Sequence, residues 1–507
     1  MIPLTQRNGK IVNPERELVC FGEYDVLVAG GGMAGFGAAV AASRHGCKTI
    51  LVERESSLGG LATIGLVNIP LDFAVGIGRE MLGRLDKVGG HWHRNSDPEK
   101  HKLILDRMTI EAGVDLLLVS HVVDAIVENG CVRGVVVENK TGRQAILAKR
   151  IVDCTGDADV AFFSGCECMT GRQADGKHQA CSLEFRLGGV DWDMYQNSNL
   201  KRDDPSWIEL IKNAVETGDM PYMIDNHLNW VTHLPGRPQH SGHDEISMCF
   251  AHSRNCKPLV ASDLTRMYLE GRTQADILWT FIRKRVPGFE QCYLIDTGTL
   301  LGVRESRRVV GEYVLTTLDF ARAKTFDDTV CLTGHHYDLH NPDGPGNIKW
   351  AEVKIDGKTH YVSTHGRGGS WAPPGGYEAL ADGFGRTGAD FQRKSLPSSI
   401  PYRSLVPLNI DNVLVAGRCL SADFMAQAGC RLVLTCLNMG QAAGTAVAIS
   451  LQKRITPRLV DRIELQAQLI KDGCEVGQSY FSIPGLGVGA VKVVAEESLS
   501  RAEILTQ

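Results

Sequence analysis

Tyr24 to Glu53, YDVLVAGGGMAGFGAAVAASRHGCKTILVE, places an apolar run, a glycine turn, an Ala-rich stretch and a second apolar run in a single order. Val26 to Ala29 reads as a buried strand, Gly30, Gly32 and Gly35 form a G-x-G-x-x-G turn, Gly37 to Ser43 reads as a helix, and Thr49 to Val52 reads as a second strand ending at Glu53. The chemistry needs every part, because Gly30 allows the tight turn, Gly32 lets backbone approach a pyrophosphate, and Gly35 lets helix and strand pack closely. Unpaired N–H groups and the positive end of the helix dipole then face the phosphates. Glu53, about 20 residues past the glycines, is placed to accept hydrogen bonds from ribose hydroxyls. Its negative charge would repel a 2′-phosphate, which disfavours NADP. Lone glycine triplets are weak signals in a chain with 55 glycines, but here strand, helix, strand and acid are in register, so dinucleotide binding is expected.

The residues beyond Glu53 favour FAD over NAD. Ser57 to Thr63, SLGGLAT, brings a glycine pair directly after the ribose-binding acid. Ile151 to Asp157, IVDCTGD, is an apolar strand ending in Thr155, Gly156 and Asp157; Asn412 to Arg418, NVLVAGR, is another strand ending in Gly417. A helical segment, Leu432 to Ile449, then carries Gly440-Gln-Ala-Ala-Gly444, where small residues permit close backbone approach to a ring or a neighbouring strand.

These motifs, with Gly302 to Tyr313 (GVRESRRVVGEY), Asp338 to Pro342 (DLHNP) and Ile400 to Pro407 (IPYRSLVP), make the chain resemble the FAD-dependent oxidoreductase family proteins of the glutathione-reductase-like flavoprotein fold. The resemblance covers most of the chain and implies a flavin redox enzyme. The implied fold is α/β, a Rossmann-type FAD-binding domain with an inserted α+β substrate domain. The expected cofactor contacts are Gly30, Gly32, Met33, Ala34, Gly35, Glu53, Arg54, Gly60, Leu61, Ala62, Thr63, Val123, Thr155, Gly156, Asp157, Gly417, Arg418, Arg431 and Gly440. More familiar flavoproteins carry an Asp where this chain has Arg418.

Composition sets the outer limits. A chain of 507 residues, 43% hydrophobic and 22% charged, buries a large core and has room for two to three domains. The net charge of −5 gives no basic surface for nucleic acid. Met1 to Glu23 is polar, without a signal-like apolar run, and no apolar stretch nears the ~18 residues a membrane span requires; a cytoplasmic location is the expectation. Fifteen cysteines without a C-x-x-C argue against a disulfide framework, a metal site or a redox-active thiol pair, so no metal is expected.

Organisation follows from periodicity. Residues 1–23 form an extension, 24–168 the first part of the FAD domain, 169–400 a substrate domain, 401–455 the second part of the FAD domain, and 456–507 a helical cover. Helices are expected over 78–88, 100–112, 262–286 and 304–320, and Asn129-Gly130 marks a hairpin. No second G-x-G-x-x-G follows a strand; Gly485, Gly487 and Gly489 read as a terminal turn.

Catalytic candidates follow from what flavin chemistry needs: orientation, a proton acceptor and positive charge. His340, with Asp338 two residues away to fix its tautomer, is the expected base, presented by a loop; His335 and His336 rank below it. On the expected helix, Arg304 and Arg308 share a face, with Arg304 turned to the pocket. Tyr402 is a candidate proton relay and Arg403 a candidate anion anchor. The resulting expectation is a dehydrogenase or reductase transferring hydride between a small polar metabolite and flavin N5. The alternatives are an FAD monooxygenase using an external reductant and a flavin-binding tRNA-modification partner. Expected partners are a small-molecule substrate and an electron acceptor or donor that the sequence does not identify. Neither nucleic acid nor membrane is expected, and assembly into a homo-oligomer is compatible with the chain.

Overall fold

The computed structural model describes residues 5–7, 9–12, 15–236, 243–321, 324–335, 337–348, 350–355, 358–363 and 397–477. Gly485 to Gly489, His336 and the last part of the expected cover lie outside them.

The opening motif forms strand β1 (Val19–Ala29), helix α1 (Met33–Arg44) and strand β2 (Thr49–Val52). β1 and β2 pair in parallel from Val26↔Thr49 to Ala29↔Val52, and β2 pairs in parallel with β3 (Asp115–Leu117). Next come three strands in antiparallel succession: β4 (His121–Glu128), β5 (Cys131–Asn139) and β6 (Gly142–Asp153). The β4–β5 turn holds Asn129 and Gly130 at φ 51° and 76°, the left-handed pair that a tight hairpin requires.

β6 does two things along its length. Its first half pairs with β5, from Gly142↔Asn139 to Leu147↔Gly134. Its last three residues instead pair in parallel with β11 (Val413–Val415), while its other edge runs parallel to β1. The sheet order is therefore β3-β2-β1-β6-β5-β4, with β11 beside the end of β6. Alternate residues of β1, β2 and β6 enter separate apolar clusters on the two faces, as expected of a parallel sheet covered on both sides.

One face carries α1 against α5 (Val433–Lys453). Their backbones touch: a Cβ at Gly440 would overlap the carbonyl of Ala34, and one at Gly37 would stand 2.5 Å from that of Leu437. Among the described helices α5 alone has the length and apolarity to cross a membrane, and it is packed inside the protein. Helices α2 (Gly76–Lys87) and α3 (Pro98–Glu111) lie on the same side, and α6 (Arg462–Lys471) packs on α5.

Between β6 and β11 the chain builds a second sheet, antiparallel, in the order β8-β9-β7-β10: β7 is Phe185–Val190, β8 Trp230–His233, β9 Asp244–Cys249 and β10 Tyr293–Thr297. Helix α4 (Ala261–Arg285) and the buried rings of Tyr195, Trp207, Phe250, Phe281 and Phe289 give it its own core. The helix expected over 304–320 does not form. Arg307–Val309 is a strand paired with Cys168–Thr170, and only Thr317–Ala321 is helical. The reason lies in Val309-Val310-Gly311, two β-branched residues and a glycine, which favour an extended ladder over a helix.

Candidate active site

Beyond the C-terminal ends of β1 and β6 lies a cavity of about 710 Å³, a size suited to a cofactor and a small ligand. Gly30 turns the chain at φ +94°, and a Cβ there would stand 2.5 Å from the carbonyl oxygen of Cys154. Gly32 caps α1, and a Cβ on it would meet no atom within 4 Å: the missing side chain leaves open cavity at the helix N-terminus. Gly59 donates its N–H to Gly31 at 2.9 Å, so a second glycine pair closes over the first; a Cβ at Gly60 would lie 3.4 Å from Gly32 Cα. This backbone-lined trough, which side chains would fill, fits the pyrophosphate of a dinucleotide. Glu53 lines its far end, where Gly31 and Glu55 donate backbone N–H groups to the two carboxylate oxygens at 2.5 and 2.8 Å. Each oxygen keeps a further lone pair for a ribose hydroxyl, and burial pushes the carboxyl pKa up.

Of the expected cofactor set, Gly30, Gly32, Met33, Ala34, Glu53, Arg54, Gly60, Leu61, Ala62, Thr155, Gly156, Asp157, Gly417, Arg418 and Arg431 line this cavity. Four do not. Gly35 packs α1 on its own turn, where a Cβ would overlap the Gly30 carbonyl. Gly440 packs α5 on α1, as described. Thr63 is buried and donates its hydroxyl to Leu58 at 2.6 Å. Val123 points away because side chains alternate along a strand, and its neighbour Val122 faces the cavity instead. Arg418 pairs with Asp157 at 2.8 Å. The acid beside position 418 is thus contributed by the 155–157 motif. Burial alone would raise the Asp157 carboxyl, but Arg418 and the Ser306 hydroxyl hold it below the ordinary range.

The other end of the cavity is built from side chains of distant segments. His340 is 4% exposed, not looped out as expected, because the Pro342–Gly344 turn is pinned back by a bridge from His340 to Asn347 and by Gly346 donating to Asp225 at 2.6 Å. Its Nε2 lies 3.2 Å from Asp338 Oδ1, and Asp338 Oδ2 takes Arg431 Nη2 at 2.9 Å. Burial, and then Arg304, lower the His340 pKa to about 3, so the ring is neutral. Arg431 and His340 overcome the burial of Asp338 and hold its carboxyl well below the usual range. With an ionised acceptor at Nε2, the ring proton resides there and Nδ1 keeps its lone pair.

A second pair mirrors the first. His252 stacks on His340 with ring centroids 5.1 Å apart, and its Nδ1 lies 2.9 Å from Asp225 Oδ2. Its Nε2 faces Asn229 Nδ2 at 3.1 Å and Arg304 Nη2 at 3.3 Å. Arg304 also donates to the carbonyl of Ala180 at 2.7 Å. Glu184, 2% exposed, accepts from Ser182 at 2.8 Å through Oε1. Arg304, Glu184, Ser182, Cys249 and Asn229 all line the cavity.

Tyr402 and Arg403 are not in the site. The Tyr402 hydroxyl is buried on the carbonyl of Pro457 at 2.8 Å, and Arg403 pairs with Asp328 at 3.0 Å. Arg307 binds Asp159 and Arg308 binds Glu305, so of the arginine cluster only Arg304 reaches the cavity. Sequence reasoning missed Glu184, Asp225, Asn229, His252 and Cys249, which share no spacing; the one available signal was the enrichment of histidine and tryptophan in the middle of the chain. All 15 cysteines are free, and among the described residues no cluster of three or more metal-ligating side chains exists.

A glycine trough at a helix N-terminus, a buried acid at its far end and a cavity continuing to a buried His–Asp pair are the parts that a dinucleotide-dependent redox enzyme needs. The match to known proteins narrows this: the FAD dependent oxidoreductase family model spans residues 25–363 and 381–469, and the chain belongs to that family. It is an FAD-dependent enzyme. Curated relatives include digeranylgeranylglycerophospholipid reductase 2 of Methanopyrus kandleri, 27% identical over 34% of this chain and 51% of the relative. Another is thiamine thiazole synthase of Sulfolobus acidocaldarius, 34% identical over 28% and 58%. The chain spans about half the length of the curated relatives it matches. Among solved structures it is similar to a geranylgeranyl bacteriochlorophyll reductase-like protein of Thermoplasma acidophilum, with TM-score 0.43 and 13% identity over 89% of this chain and 84% of that one.

Proposed function

We propose that this enzyme is a dehydrogenase or reductase exchanging hydride with a small polar metabolite. FAD, when bound, supplies a hydride acceptor or donor at N5. The glycine trough and Glu53 would hold the dinucleotide, and Arg431, beside the N-terminus of α5, would face negative charge on the ring. The observation that carries the reading is the His340–Asp338 pair, 3.2 Å apart, in the cavity that begins at the trough. As a substrate C–H breaks, His340 takes the proton of the adjoining O–H or N–H at its free nitrogen, and Asp338 stabilises the imidazolium that results. Arg304 supplies fixed positive charge in a water-poor pocket. A separate electron acceptor or donor completes the cycle.

The test is the visible spectrum of the holoenzyme under anaerobic conditions while pools of sugars, hydroxy acids, amines and NAD(P)H are added in turn. Bleaching of the flavin band by one metabolite pool is expected. Bleaching by NAD(P)H alone would overturn the dehydrogenase direction and leave a reductase or an externally reduced monooxygenase.

A further inference from the structure

Ser182 and Gly302 form an antiparallel bridge, Gly302 donating to Ser182 at 2.8 Å and Ser182 to Gly302 at 3.2 Å. Because side chains alternate along extended chain, Ser182 and Glu184 share one face of this ladder with Gly302 and Arg304, and all four line the cavity. Gly302 has no side chain between its neighbours; a Cβ there would stand 2.7 Å from Ser182 Oγ and 3.4 Å from Glu184 Oε2. The ladder thus borders a slot in the cavity: the bare Gly302 makes room for the Ser182 hydroxyl and Glu184 carboxyl on one side of it, and the Arg304 guanidinium stands on the other.

Both walls are polar groups short of partners. Glu184 Oε2 is buried and has no hydrogen-bond partner. Among the described residues no carboxylate forms an ion pair with Arg304, although the residue is 7% exposed; its contacts are the Ala180 carbonyl, His252 Nε2 and the Cys249 sulfur at 3.8 Å. Buried polar atoms are nearly always satisfied, and an unpaired charge is costlier still. An acceptor and a cation left open on the same face of one cavity therefore describe the missing partner: an anion for Arg304 and an N–H or O–H donor for Glu184.

We infer that the slot takes a small organic acid, its carboxylate on Arg304 and a hydroxyl or amino group close to that carboxylate on Glu184. This rests on the dehydrogenase reading and sharpens its substrate to the hydroxy-acid and amino-acid class.

The experiment is calorimetric titration of the anaerobic holoenzyme with four three-carbon probes: L-lactate, L-alanine, propionate and isopropylamine, with the visible spectrum recorded on each sample. Lactate or alanine is expected to bind roughly tenfold or more tighter than propionate and isopropylamine, the effect of one good charged hydrogen bond. Glu184→Gln should remove that preference for alanine while largely retaining it for lactate, and Gly302→Ala, whose methyl crowds Ser182 Oγ and Glu184 Oε2, should weaken every probe. Retained FAD absorbance shows that each variant is folded. Propionate binding as tightly as lactate and alanine, saturation by none of the four, or indifference of both variants would overturn the slot. Tight, selective binding with no bleaching by any metabolite pool would instead keep the slot and sink the dehydrogenase reading.

Discussion

The two ends of the cavity are made in different ways. The cofactor end is made of backbone: Gly30 and Gly59 turn the chain at positive φ, Gly32 and Gly60 leave it bare of side chains, and the four come from one stretch of about thirty residues. The redox end is made of side chains, Glu184, Arg304, His340 and Arg431, each from a different segment, with His252 in contact with Arg304 and His340. A backbone site depends on local conformation and close packing, so it fails when a side chain is added. A side-chain site depends on charge and proton placement, so it fails when a group is removed while the fold stays intact.

The sharpest way to break the comparison lies inside the first motif. Gly35 and Gly32 are three residues apart, but a Cβ at Gly35 overlaps the Gly30 carbonyl while one at Gly32 meets only open cavity. Gly35→Ala is expected to cost more than about 3 kcal/mol of stability, as overpacking against rigid backbone does, and to give little folded protein. Gly32→Val is expected to retain its melting transition and lose FAD. Circular dichroism with the 450 nm flavin absorbance separates the two, and a Gly32→Val protein that still purifies yellow would show that the trough does not hold the pyrophosphate.

At the redox end, removing a group should leave the cofactor in place. His340→Ala is expected to slow anaerobic flavin reduction by roughly 10² to 10⁴, the span typical of a lost general base, with FAD stoichiometry unchanged. Asp338→Asn should slow it less, because the ring remains but its proton is no longer fixed on Nε2. Stopped-flow reduction at saturating substrate measures both, and an unchanged rate in His340→Ala would remove that residue from the mechanism.

Acid separates the ends by a smaller amount. Burial lowers the pKa of His101, in α3, to about 4 and that of His340 to about 3, so below about pH 6.5 the unfolded chain binds protons that the folded chain refuses. Each such histidine withdraws up to about 1.4 kcal/mol per pH unit as the pH falls. The stability is complete above pH 6.5 and is lost towards pH 4 for His101 and pH 3 for His340. Asp153 acts in the opposite sense: burial raises it to about 6, so on acidification the folded chain binds its proton first and gains stability between about pH 6 and pH 4. Glu53, Asp159 and Asp423, also raised by burial, add to that gain, while Asp157, Asp225 and Asp338, held low by their partners, lose stability on acidification as the histidines do; the losses are expected to prevail as a denaturation midpoint that falls from pH 7 to pH 4. His101→Gln should shallow that fall without altering FAD binding, whereas a midpoint independent of pH would mean that these histidines are not buried as neutral rings.

How much of this was legible follows from the same contrast. The βαβ unit, the Asn129-Gly130 hairpin, the returning strand at 413–415 and helix α5 could be read because their signals lie within a few residues of one another. The arginine cluster misled because i, i+4 spacing says nothing once Val309, Val310 and Gly311 draw the segment into a strand. His340 was recognised, yet its burial was not, since the contact that pins its turn comes from Asp225, more than a hundred residues earlier. Glu184 and His252 could not be singled out: a lone acid, and one histidine in a histidine-rich stretch, acquire meaning only when the fold sets Glu184 beside the 302–304 ladder and His252 against Arg304 and His340.

Tyr402 and Arg403 provide the mildest test, because their chemistry suits a flavin site but their contacts are structural. Tyr402→Phe deletes one buried hydrogen bond to the Pro457 carbonyl and strands that acceptor, a loss of about 1–3 kcal/mol, read as a lower urea midpoint. Arg403→Met releases the Asp328 carboxylate, of which little is exposed, with a cost of similar order. Neither should change the rate of flavin reduction at saturating substrate, since neither side chain lines the cavity. If Tyr402→Phe slowed reduction tenfold while its urea midpoint held, the boundary between core and site drawn along this chain would have to move to include the 401–405 turn.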